Sequence, residues 1–267
     1  MHERVDAPRR TSHSGGVSSR LTAGYGDYVA TQLNGPTLVK GTRATRSTIS
    51  LKITMAVSGL IFIGYLLAHM YGNLKVFAGH DAFNEYAEHL RELGEPLLPH
   101  AGALWIIRVV LLGSLVVHVA SAVALTLRAS KARTHKYAVK KNLNSTLSSR
   151  TMRWGGATLF LFLVWHLLHF TIVKVNPTTD AVDRVQDPYN LLVDSFGVWW
   201  MTLIYLAAMG ALALHLRHGT WSAAQTLGLT NSVRSRTRAK TAGLVLAVVI
   251  AGGFSLVPLS VLLGIVD

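Results

Sequence analysis

Five apolar stretches, each close to the ~20 residues a helix needs to cross a ~30 Å hydrocarbon layer, constrain this chain more than anything else in it. They run approximately from Ile53 to Asn73, Gly102 to Leu127, Trp154 to Val175, Phe196 to Leu216 and Ala242 to Val266. Backbone polar groups in lipid must be satisfied within the segment, so stretches of this length fold as helices. The expected fold class is therefore all-α, a bundle of five transmembrane helices. Of 267 residues, 50% are hydrophobic and only 15% charged, which excludes an ordinary soluble domain and a disordered chain. Gly59, Gly64 and Gly113 are tolerable inside such helices, and Pro258 is expected to kink the last one.

The chain divides into a polar, basic arm over residues 1–50, without the continuous apolar run of a cleavable signal, and a membrane domain over 51–267. Charge alternates between the two ends of the spans. Arg43, Arg46 and Lys52 precede the first, Arg128, Lys131, Arg133, Lys136, Lys140, Lys141, Arg150 and Arg153 join the second to the third, and Arg217, Arg234, Arg236, Arg238 and Lys240 join the fourth to the fifth. The opposite side holds Asp81, Glu85, Glu88, Glu92, Glu95, Asp180, Asp183, Asp187, Asp194 and Asp267. The positive-inside rule then predicts a cytoplasmic N-terminus and an external C-terminus. It also accounts for the net charge of +13 without invoking nucleic acid. Between Gly79 and His100, Ala82, Phe83, Tyr86, Ala87, Leu90 and Leu93 recur at helical spacing opposite Glu85, Glu88 and Glu92, which predicts an amphipathic helix in the interface.

With no cysteine in the sequence, any metal rests largely on its 12 histidines. Four spans carry one deeply placed: His69, His118, His166 with His169, and His215 with His218 close behind. Ionisable groups at that depth are costly and mark function. His69 and His166 fall late in outward-running spans, and His118 and His215 late in inward-running ones, giving two levels with two histidines each. Two neutral imidazoles facing each other suit a six-coordinate haem iron, since the porphyrin supplies the other four nitrogens. Gly59, Gly64, Gly102, Gly113 and Gly210 are candidates for making room. His169 and His218, each three residues further on, share nearly the same helix face and leave the choice within each pair open. His135 reads as a loop residue.

These residues resemble a family, the single-chain di-haem cytochrome b membrane anchor of bacterial succinate dehydrogenases and fumarate reductases, of the Gram-positive and actinobacterial type. The resemblance spans roughly Ile53 to Val266. It rests on Leu67-Ala68-His69 with Gly72-Asn73 and Ala82-Phe83-Asn84, on His118, on Val164-Trp165-His166, and on His215 followed by Gly219, Trp221, Ser222 and Leu227-Gly228-Leu229-Thr230. It implies two haem b groups, held by His69 with His166 and by His118 with His215. It also implies a quinone-linked carboxylate, for which Glu92 in Glu92-Leu93-Gly94-Glu95-Pro96 is the candidate. The partners implied are a flavoprotein and an iron–sulfur subunit on the cytoplasmic face, with menaquinone in the membrane as acceptor.

On this reading the chain is the electron-carrying, quinone-reducing anchor of a respiratory complex in the bacterial cell membrane, with the dicarboxylate chemistry in other subunits. The alternatives are the cytochrome b subunit of another respiratory oxidoreductase, a histidine-relay transporter without haem, and a Rieske-type centre in which His118 or His215 joins cysteines of a partner subunit. The direction of the reaction and the oligomeric state stay open.

Overall fold

The computed structural model describes residues 47–132, 146–172 and 187–267, all of it helical with short connections. The arm over 1–50, apart from its last four residues, lies outside the described residues, as do His135 and the connections over 133–145 and 173–186. Seven α-helices follow in order: α1 Thr48–Leu74, α2 His80–Glu92, α3 Gly102–Lys131, α4 Leu147–His166, α5 Pro188–Phe196, α6 Trp199–Thr226 and α7 Val233–Leu262. A 3-10 turn, Lys75–Ala78, follows α1, and a π-helical turn, Leu167–Thr171, continues α4. Helices α1, α3, α4, α6 and α7 are each long and apolar enough to cross a membrane. These are the five expected spans.

Three of them, α1, α4 and α7, start at polar side chains that satisfy free N–H groups of the first turn. Ser47 accepts from the Ser50 N–H at 2.9 Å and Thr146 from the Ser149 N–H at 3.2 Å. Ser232 and Ser235 form a reciprocal capping box that starts α7 well before its apolar run, so Arg234, Arg236, Arg238 and Lys240 lie on its first turns. The fourth span departs from expectation at its start. Phe196 closes the separate short helix α5, and α6 begins only at Trp199, running on through His218 to Thr226. Pro258 sits buried inside α7, which continues past it. The amphipathic helix is α2; it buries Phe83, and it ends before Leu93. Gly79 enters α2 at φ 94°, a backbone region that costs a residue with a Cβ strain.

Membrane helices gain little from apolar burial and associate through close packing, which small residues allow. α6 and α7 form the tightest pair, through Ala208, Ala247 and Ala251 around the fully buried Ile250. A Cβ added at Gly243 would stand 2.8 Å from the Arg217 carbonyl oxygen, so only glycine permits that approach. α1 packs against α3, α6 and α7, and α4 against α6. Neither α1 with α4 nor α3 with α6 is a close packing. Lys52, Arg128, Lys131, Arg150, Arg153 and the basic start of α7 share one end of the bundle, and α2, α5 and the carboxylates share the other.

Candidate functional site

The histidines meet across the two gaps that close packing leaves. His69 of α1 and His166 of α4 have ring centres 5.9 Å apart, and His118 of α3 and His215 of α6 have theirs 6.3 Å apart. The first pair lies toward the acidic end. On α1, Ser58 touches His118 and a Cβ at Gly59 would stand 3.5 Å from that ring, as a Cβ at Gly156 of α4 would from His215. At ~1.5 Å per residue, the run from Gly59 to His69 and the run from Gly156 to His166 each place the two levels roughly 15 Å apart. Two helices thus give the same spacing independently.

Each ring is held differently. His118 Nδ1 lies 3.1 Å from the Ser58 hydroxyl, which itself reaches the Thr54 carbonyl oxygen at 2.8 Å. His69 stacks on Tyr65, with ring centres 5.3 Å apart and planes 10° from parallel, and meets Phe254 at 5.6 Å. His166 Nδ1 lies 3.3 Å from the Tyr205 hydroxyl. His215 Nδ1 is buried without a hydrogen-bond partner among the described residues.

The choice within each three-residue pair follows from these contacts. His169 is fully buried, with Nδ1 2.8 Å from the Tyr205 hydroxyl and Nε2 3.1 Å from the Ser195 hydroxyl. Both its nitrogens are engaged, so it has no lone pair to offer a metal, while His166 keeps Nε2. The π-helical turn over Leu167–Thr171 separates the two rings, and such bulges recur at functional sites. His215, not His218, stands opposite His118.

Among the described residues no three His, Asp or Glu side chains converge as a protein-only metal centre requires. Pairs of imidazoles suit a group that brings its own equatorial ligands. A metal–imidazole bond is ~2.0–2.1 Å, so two rings on opposite faces of one haem iron have centres about 6.3 Å apart. The His118/His215 separation of 6.3 Å matches and the His69/His166 separation of 5.9 Å falls 0.4 Å short of it, and the orphaned His215 Nδ1 is a buried polar atom in want of a partner. A Cβ at Gly64, Gly113 or Gly210 would meet nothing within 4 Å, leaving those helix faces open. Gly102 does not serve this purpose: a Cβ there would press on Leu98 and Pro99 at 3.0 Å, so it belongs to the turn entering α3. A cleft of about 210 Å³ beside His215 is lined by Met152, Gly155, Thr158, Ala211 and Leu214. The residues present fit haem at both levels.

Glu92 is exposed on the last turn of α2, and its side chain makes no hydrogen bond or ion pair among the described residues. Arg108, in the second turn of α3, lies over the Trp105 ring at 5.0 Å and within electrostatic range of Tyr65, the residue stacked on His69. Sequence reasoning missed Tyr205, Ser195, Ser58 and Gly156. The signal was there for Ser58 and Gly156, small residues in apolar helices, but not for which histidine they would meet.

Outside the spans, Asp187 ties α5 to α2. Its carboxylate accepts from the Asn84 amide at 2.9 Å, from the Asn190 side chain and N–H, and pairs with His80 at 3.2 Å. Partial burial alone would push the Asp187 carboxyl up, but these donors hold it well below the usual carboxylate range. His80 is raised by hydrogen bonds to Asp81 first and Asp187 second. No protein-family model, curated protein or solved structure matches the chain.

Proposed function

We propose that this chain is the electron-carrying membrane anchor of a succinate:quinone oxidoreductase in the bacterial cell membrane, with haem b at each histidine pair. The observation that carries the reading is the pairing itself: four histidines from four helices meet two by two, at two depths, across the two gaps between helices. Bound there, haem would supply a one-electron iron couple at each level. His69 and His166 would hold one, His118 and His215 the other, each offering a neutral nitrogen from an apolar wall.

The end bearing Lys52, Arg128, Arg150, Arg153 and the start of α7 is the cytoplasmic one by the positive-inside rule, and the flavoprotein and iron–sulfur subunits would dock there. Menaquinone would be reduced near the acidic end, with Glu92 the proton donor that the family resemblance implies, and with Tyr65, stacked on the His69 ring, and Arg108, within electrostatic range of Tyr65, as further polar groups there. A reaction path from the basic face through two levels to a quinone explains why the histidines are spaced along the membrane normal, where a transporter relay would recruit carboxylates among the spans.

The test is the reduced-minus-oxidised visible spectrum of the purified complex, with haem counted per chain. Two low-spin haems are expected. His69→Ala or His166→Ala should remove or convert to high spin only one of them, and His118→Ala or His215→Ala only the other. A chain purified without haem would overturn the reading in favour of a haem-free transporter.

A further inference from the structure

The hydrogen bonds around His169 have only one consistent direction. The Leu191 carbonyl can only accept, so the Ser195 hydroxyl, 2.6 Å away, donates to it. The Ser195 oxygen then accepts from His169 Nε2–H at 3.1 Å. His169 is fully buried with no carboxylate among its partners, so it is neutral and its Nδ1 is a bare acceptor. The Tyr205 hydroxyl donates to that Nδ1 at 2.8 Å, and its oxygen accepts from His166 Nδ1–H at 3.3 Å. His166 is left with its proton on Nδ1 and a lone pair on Nε2. The chain ends on a backbone carbonyl, so it is no proton path to solvent; it fixes a tautomer and a ring orientation.

We infer that Tyr205, His169 and Ser195 are positioning residues that set His166 as the Nε2 ligand of the acidic-end haem and tune that centre's potential; this rests on the haem reading above. Metal-bound histidines commonly donate their second N–H to such a partner, which raises the basicity of the ligating nitrogen. A donating Tyr205 hydroxyl is a better acceptor in turn, because hydrogen bonds in series polarise one another. A more basic ligand favours the oxidised iron, so the intact chain lowers the midpoint potential. Among the described residues nothing comparable holds His69, whose side chain has only ring contacts there. Ser195 comes from α5, so the docking of that short helix completes the device.

The experiment is a redox titration of the intact complex, following each haem by its absorbance. Tyr205→Phe keeps the ring that packs among Phe162, Phe170 and Phe196 and removes only the hydroxyl. It should raise the midpoint of the acidic-end haem and leave the other unmoved. His169→Leu should raise it by less, and His169→Gln, whose Oε1 can accept and Nε2 donate, should restore it toward the unaltered value. An unmoved midpoint in Tyr205→Phe, or an equal shift at both centres, overturns the inference while leaving the haem reading intact. Should Tyr205→Phe lose that haem, His169→Leu decides, and an unchanged midpoint there overturns it equally. Absence of haem from the unaltered complex overturns the proposed function and this inference with it.

Discussion

Dissipating the membrane potential tests whether electrons cross between the two histidine levels. The levels stand roughly 15 Å apart, about half of a ~30 Å hydrocarbon layer. A full crossing is worth ~2.3 kcal/mol per charge per 100 mV, so an electron moving from the His118/His215 level to the His69/His166 level gains roughly 1.2 kcal/mol at that potential when the basic end is the negative side. In equilibrium terms this is about 7-fold per electron and about 50-fold for the two electrons that a quinone takes. The assay compares succinate-dependent quinone reduction with reduction of a soluble acceptor at the cytoplasmic subunits, in right-side-out vesicles, with and without an uncoupler. Quinone reduction should slow and the soluble assay should not. If neither slows, electrons leave at the basic-end level, and the His69/His166 pair is off the main path. Equal slowing of both would trace to substrate uptake instead.

Three further outcomes are expected. Gly156→Val places methyl groups beyond a Cβ that already stands 3.5 Å from the His215 ring, an overpacking worth about 1–3 kcal/mol, so it should lower occupancy of the basic-end haem. Gly252→Val, on α7 and away from the cleft beside His215, whose Cβ meets nothing within 4 Å, is the control, and equal haem content in the two variants would refute the contact. Glu92→Gln should slow quinone turnover while leaving haem content and the soluble-acceptor assay intact; unchanged turnover would leave Glu92 a solvated surface residue and turn attention to Arg108. The α2–α5 contact should be tightest in a window bounded by its two titrating groups: the raised His80 contributes fully below its ordinary pKa near 6.5 and loses its contribution as pH rises through the raised value, and the depressed Asp187 contributes fully above its ordinary 3.8 and loses its contribution as pH falls through the lowered one. Amide exchange in α5 should therefore be slowest, after correction for intrinsic rate, in mildly acidic buffer, and a profile flat with pH would refute the assignment.

The sequence by itself determined the number of membrane-length helices and the two levels at which the histidines of the spans lie, the first span's with the third's and the second's with the fourth's. Depth is a one-dimensional quantity: once the spans and their alternating direction are known, a fixed rise per residue converts position into height, and equal heights bring side chains together. Tertiary structure alone decided between His166 and His169, which share nearly one height and one face. The deciding partners, Ser195 and Tyr205, lie 26 and 36 residues away on helices whose rotation about their own axes no periodicity specifies. The same holds for Ser58 against His118, for Gly156 against His215, and for the break at Gly197 that makes α5 a separate helix. Glu92 shows the limit from the other side, since a short motif fixes its place in the chain but not what its carboxylate touches. Height along the membrane is written in the chain, whereas azimuth and hydrogen-bond partners arise only when the helices pack.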